Sequence, residues 1–343
     1  VSATDIPPLT PSARRGLLAA YAVARNARDL LFYDLVVQRR AKQAPYPHLL
    51  TLASYWLGAC GNQKVPAKKF NNGSITSIIK DAEADASNGV ITLLIEMSDR
   101  NAPDATYLDH EQRTSRHLAK GEKEGSGASA HVFISSLPQK DFPNSYLALI
   151  EAVPSISVQK IQSTLNSIIK HACEIDKEAF TYQKPGGVKR DVPYQPHIAL
   201  GGYPSDQFIH DLEHGKIQGM TLVSPVVKAP LGQSPYLKLE SHSLKVRVSK
   251  DLPQGQRWQT LFREAHMNKD EFPTARISVQ PEKDGRSFSV DLDADTGNII
   301  GESYVKTRRV GNIDPPIANN SPDAIVPQFK RRAVEVLLKE RSV

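Results

Sequence analysis

Between Ala275 and Lys306 the chain alternates apolar and polar residues in three short runs, and both breaks carry glycine. Ala275–Gln280 stops at Lys283-Asp284-Gly285, Ser287–Leu292 stops at Asp295-Thr296-Gly297-Asn298, and Ile299–Lys306 follows. A period of two puts alternate side chains on one face, and Gly accepts the positive φ that reverses a strand. The stretch predicts a three-stranded antiparallel meander, so the protein must contain a sheet rather than a bundle of helices.

Other runs mix the two periodicities. Val90–Met97 (VITLLIEM), His131–Ser136, Tyr146–Val153, His197–Leu200, Met220–Val226 and Tyr236–Val248 predict strands, with a hairpin over Ala105–Leu108 and Thr114–Ala119. Tyr146–Val153 also fits a short helix. Helical spacing marks His48–Leu57, Val158–His171, Ser205–His214, Arg257–Met267 and Ala324–Arg341. Toward the amino terminus, Ser12 reads as a cap. Leu17, Leu18, Tyr21, Leu30, Leu31, Leu35 and Val36 recur at helical spacing until Pro45 and Pro47. Asn71-Asn72-Gly73 reads as a turn and Ser74 as the cap of a helix carrying Ile75, Ile78, Ile79 and Ala82.

Together these predict an α+β protein: a helical N-terminal region, a mixed, mainly antiparallel sheet with flanking helices, and a C-terminal helix. The expected divisions are a basic helical domain over 1–88, a sheet domain over 89–315, and a linker and helix over 316–343. No apolar run approaches the ~18 residues a transmembrane helix needs, and the opening residues do not read as a secretory signal. Two cysteines, Cys60 and Cys173, are too few for a disulfide framework. A cytoplasmic protein with no membrane partner is the expectation.

Charge is unevenly distributed. The first eighty residues hold eleven bases and three acids, a net of +8 in a chain whose total is +6. A local positive field attracts phosphate backbones and releases their counterions. Arg25, Arg28, Arg39, Arg40, Lys68 and Lys69 are the expected phosphate contacts. Lys184, Lys189 and Arg190 flank Pro185-Gly186-Gly187, a loop whose backbone N–H groups a ligand could approach. These residues point to sequence-independent binding of nucleic acid, DNA foremost, or of another polyanion. A scaffold role, with an acidic protein or a second copy as partner, uses the same charges.

Enzyme signatures are sparse, and a non-enzyme is the leading expectation, with no cofactor and no metal. His210-Asp211-Leu212-Glu213-His214 matches the H-x-x-E-H spacing of inverted zinc peptidases, but Gly215 ends the helix at once. Asp291, Asp293, Asp295 and Glu302 have calcium-loop spacing, with Thr296 where glycine is required. Phosphate-binding glycine motifs and the G-x-S-x-G elbow are absent from the sequence. Cys60, in GACGN, has only His48 nearby in sequence as a base and reads as a small buried thiol. His131 and His197 open two apolar runs, HVFI and HIAL. The pair resembles the H-h-[ST]-h repeats of two-histidine phosphoesterases. That resemblance implies a general acid and base acting on a phosphodiester. Phe133 and Ala199 stand where that family has its hydroxyls.

Overall fold

The computed structural model describes residues 24–41, 43–140, 142–184, 191–224, 242–249, 251–281, 287–301 and 303–341. Among these the fold is α+β with mainly antiparallel sheets. The chain divides into two compact units. Gly201–Thr307 makes one, and the described residues of Leu17–Leu200 with those of Arg308–Val343 make the other.

The larger unit is built on an eight-stranded sheet. Its strands are β1 (Arg28–Arg39), β2 (Lys68–Phe70), β3 (Ile75–Asp85), β4 (Val90–Asp99), β7 (Ser126–Ser135), β8 (Ser145–Glu151), β11 (Pro196–Gly202) and β16 (Thr307–Val310). The order is β11-β1-β8-β7-β4-β3-β2, and β16 also pairs with β1. Two small hairpins stand apart from it: β5 (Ala105–Asp109) with β6 (Thr114–Leu118), and β9 (Thr181–Gln183) with β10 (Asp191–Pro193).

Two helices, α1 (Leu49–Ala59) and α2 (Val158–Ile175), lie together on one face. Trp56 is fully buried and its indole N–H donates to the Leu165 carbonyl at 3.3 Å, while Thr164 of α2 bonds Ser77 of β3. Asn166 and Gln162, one turn apart on α2, bond the backbone of β11 at Ile198 and Leu200. Side-chain amides thereby satisfy the backbone of an end strand that would otherwise face water.

The opposite face is covered by the C-terminal segment, which ends in α5 (Pro327–Arg341). Phe329 is fully buried against His131 and Phe133, with ring centroids 5.1 and 5.7 Å apart. Before the helix the segment crosses the sheet as a strap. Ile313 and Ile317 donate to the carbonyls of Asn26 and Arg25, Ser129 N–H donates to the Asn320 carbonyl, and Ser321 donates to Glu96. Ile325 N–H donates to Asp81 and Val326 N–H to His131. The polar residues on this face are therefore the anchors of the strap.

The smaller unit runs α3 (Asp206–His214), β12 (Lys216–Ser224), β13 (His242–Val246), α4 (Arg257–Met267), β14 (Thr274–Gln280) and β15 (Phe288–Asp293). Its sheet order is β13-β12-β14-β15. Buried Met220, Leu222, Ala275, Ile277, Val279, Val290 and Leu292 alternate along these strands. Phe208 of α3 meets Trp258 of α4 edge to face at 5.9 Å. The other strand positions carry polar pairs, Arg276 with Asp291 and Ser278 with Ser289.

Two helix expectations are overturned. Residues 28–39 form strand β1, with Arg28, Leu30, Phe32, Leu35 and Val37 buried. Covered on both faces, a central strand reads as a nearly continuous apolar run, which helical spacing also fits. Residues 75–85 form β3, where Ile75, Ser77 and Ile79 are buried at period two. Asn71, Asn72 and Gly73 do turn the chain, all with positive φ, so Ser74 follows a short 3-10 turn instead of capping a helix. The expected helix before residue 24 lies outside the described residues. In the meander the first two strands stand. The turn over 283–285 and residues 236–241 of the expected strand Tyr236–Val248 lie outside the described residues. The third run, Ile299–Lys306, makes only isolated bridges at Ile299 and Val305, because Gly301 and Tyr304 take positive φ. The final helix begins at Pro327, three residues later than expected.

Candidate anion-binding surface and buried histidine network

The strand registers decide where the nine candidate bases sit. Ser145 pairs with Val36, Ser135 with Val90, and Val90 with Asp85, so the ends of β1, β7 and β3 share one margin of the sheet. Asp99 pairs with Ser126 and with Ile75, which places the starts of β7 and β3 on the opposite margin. Arg39 and Arg40 lie on the first margin. Lys68 and Lys69 pair beside Ser77 and Thr76 on the second. Five strand steps also separate β1 from β2, about 24 Å at ~4.8 Å per step. The two lysines thus occupy the diagonally opposite corner from Arg39 and Arg40.

Arg28 is eleven residues from Arg39 along β1, about 36 Å at ~3.3 Å per residue. It is buried, and its Nε donates to Glu151 at 2.6 Å, so it is neutralised. Arg25, at the same margin, is exposed and donates to the Ile317 carbonyl at 3.4 Å. Lys184 is exposed just past the β9–β10 pairing, and Lys189 and Arg190 lie outside the described residues. Among the described residues none of Arg25, Arg39, Arg40, Lys68, Lys69 and Lys184 pairs with a carboxylate.

The Arg39 corner has further structure. Arg39 Nη1 bonds the Ala44 carbonyl, and its guanidinium lies 4.3 Å over the ring of Tyr46, which is 45% exposed. Stacking holds a guanidinium flat while leaving its charge available. Arg40 beside it is exposed and acts on His197 at the start of β11. Burial, and then the Arg40 charge, push the His197 imidazole below its ordinary pKa, so at neutral pH the ring is uncharged. The Tyr46 platform was not foreseen; its sequence signal is an aromatic held between Pro45 and Pro47.

His131 is a buried polar group at 1% exposure. Its Nδ1 donates to Glu151 at 2.7 Å and its Nε2 accepts the Val326 N–H at 3.1 Å, which fixes the neutral Nδ1–H tautomer. Glu151 also accepts the His131 backbone N–H and the Arg28 guanidinium. Burial alone would raise the Glu151 pKa, but the His131 hydrogen bonds and the Arg28 charge outweigh it and hold the carboxyl below the ordinary range. Both imidazole nitrogens are committed, so this ring anchors the strap and has no free site for proton transfer.

The structure does not bring His131 and His197 together. Their strands are three steps apart, about 14 Å at ~4.8 Å per step, whereas acid and base must each lie within ~3 Å of atoms on one phosphoryl group. No protein-family model and no curated protein matches the sequence.

The remaining motifs have structural roles. Glu213 accepts the backbone N–H groups of Gly255 and Trp258 and so caps α4, while His210 and His214 stack on each other at 4.3 Å. Asp291 binds Arg276 through both oxygens, Asp293 closes the 293–298 turn, and Asp295 pairs with Lys269. Among the described residues no group of three or more His, Cys, Asp or Glu is placed to hold a metal ion. Cys60 Sγ rests 3.4 Å from the Lys80 carbonyl, and burial pushes the Cys173 thiol up to about 11. No described helix is long and apolar enough to cross a membrane.

Proposed function

We propose that the chain binds a polyanion, with nucleic acid and DNA foremost, through the corner of the larger sheet at Arg39 and Arg40. The observation that carries this is the pair itself. Arg39 is held flat on an exposed tyrosine, Arg40 is exposed next to it, and no carboxylate among the described residues neutralises either. Lys184 is exposed beyond the β9–β10 pairing, and Lys189 and Arg190 lie outside the described residues. Such contacts recognise phosphate spacing rather than base sequence, so binding falls steeply with salt. Lys68 and Lys69 belong to another corner, and Arg28 to the interior. Anisotropy titration of a labelled DNA duplex at low and moderate salt tests the reading; absence of binding at low salt would remove it.

A second reading, an interaction subunit, is favoured by hairpin β5–β6. Every residue of both strands is exposed, including Tyr107, Leu108 and Leu118 at 54–63%. Light scattering tests it, and a monomer at all concentrations that captures no partner would count against it.

A further inference from the structure

The margin of the larger sheet away from Arg39 holds a cavity of about 280 Å³. Arg28 and Glu151 form its buried lining, joined by Lys160 from the first turn of α2, Asp99 from the end of β4, Asn320 from the strap and apolar Met97.

Arg28 Nε donates to Glu151 and Nη1 to the carbonyls of Ala24 and Ala27, while Nη2 makes no hydrogen bond among the described residues and is not among the buried unpartnered atoms, so it is open to the cavity. Of the Glu151 oxygens, Oε1 accepts Arg28 Nε and Oε2 accepts two bonds from His131. Among the described residues the Lys160 ammonium donates only to the Ser155 carbonyl, at 3.3 Å, and pairs with no carboxylate. Asp99 accepts the Asn101 N–H through one oxygen and pairs with no cation among the described residues. One cavity therefore carries cationic donors in want of an anion and a carboxylate in want of a cation, while its four formal charges cancel.

A dianionic phosphate would meet Asp99 and Glu151 with no surplus positive charge to offset it. A ligand bearing one carboxylate and one ammonium matches both unmet groups and adds no net charge. The volume lies just below the ~300–1,000 Å³ typical of small-molecule sites, which suits a single amino acid and not a nucleotide. We infer that this cavity binds a small zwitterion of the amino-acid type, its carboxylate on Arg28 and Lys160 and its ammonium on Asp99. The site is independent of the polyanion surface, because Arg28 and Arg39 sit at opposite ends of β1.

The test is saturation-transfer NMR and calorimetry on the full chain, with each common amino acid as probe and inorganic phosphate and acetate as comparators. At least one amino acid should saturate the protein, and phosphate should not. Lys160→Glu and Asp99→Asn should each weaken it by about tenfold or more, the loss of one charge-assisted contact. Ser126→Trp, an exposed lining position, should block the cavity with the fold intact by circular dichroism. Failure of every amino acid to bind, phosphate binding equal to theirs, or affinity untouched in Lys160→Glu and Ser126→Trp would each overturn the inference.

Discussion

Salt dependence is the sharpest test of the Arg39 corner. Each phosphate neutralised on duplex DNA contributes roughly −0.9 to the slope of log K against log salt. The two cations of the corner, Arg39 and Arg40, contribute about −1.8 to the slope, so raising salt from ~50 to ~200 mM should cost about 12-fold in affinity through this pair. Replacing Arg39 and Arg40 with glutamine should remove that ~1.8 from the slope and with it the ~12-fold share of the loss over the same range. Arg40→Gln alone should remove ~0.9 from the slope without touching the fold, because Arg40 is exposed and makes no ion pair. Anisotropy with a labelled duplex of mixed sequence reads all of these values. Lys68→Gln with Lys69→Gln is the decisive control, since those lysines lie diagonally across the sheet. A slope unchanged in the arginine double variant, or lowered as much by the lysine pair, would refute the corner.

Four further outcomes follow from the packing. Arg28→Met should destabilise the larger unit by about 3–5 kcal/mol in urea, since it strands a buried carboxylate. Because the folded Glu151 carboxyl lies below its ordinary value, its stabilisation is complete above ~4.3 and is lost as pH falls through the lower folded pKa; acid titration of stability in wild type and Glu151→Gln checks the sign. Arg40→Gln should let the His197 pKa rise toward ~6.5 without reaching it, because burial is the larger cause, and NMR titration of the ring measures this. Gly215→Ala would put a methyl 2.4 Å from the Asp211 carbonyl oxygen and 2.7 Å from that of Gln280, which should cost the smaller unit about 1–3 kcal/mol in thermal melts.

Much of the fold is legible where local chemistry is decisive. Ser157 and Ser205 cap α2 and α3 through their hydroxyls, and Gly215 ends α3 where its spacing stops. Strands β4, β7 and β12 follow from apolar runs or alternation. Strands β1 and β3 do not, because Leu30, Leu31, Leu35 and Val36, and likewise Ile75, Ile78, Ile79 and Ala82, fall at helical spacing; only the cover of β1 on both faces, and of β3 on the face of Ile75, Ser77 and Ile79, decides for strands. In the candidate site, Arg39, Arg40 and Lys184 are visible as charge, but their separation from Lys68 and Lys69 depends on strand order. The neutralisation of Arg28 depends on Glu151, 123 residues away, which no local pattern announces.

The strap has a consequence for how the chain is made. The larger unit is drawn from both sides of a 107-residue insertion, Gly201–Thr307. During synthesis the first two hundred residues leave the ribosome with Asp81, Glu96, Ser129 and His131 lacking their strap partners. The segment that supplies those partners emerges only after the insertion has been made. In that interval the nascent sheet presents an open face beside free strand margins, the kind of surface that aggregates and that chaperones hold. Ribosomes stalled before residue 311 should therefore carry a chaperone-bound intermediate, and synthesis through residue 341 should release it.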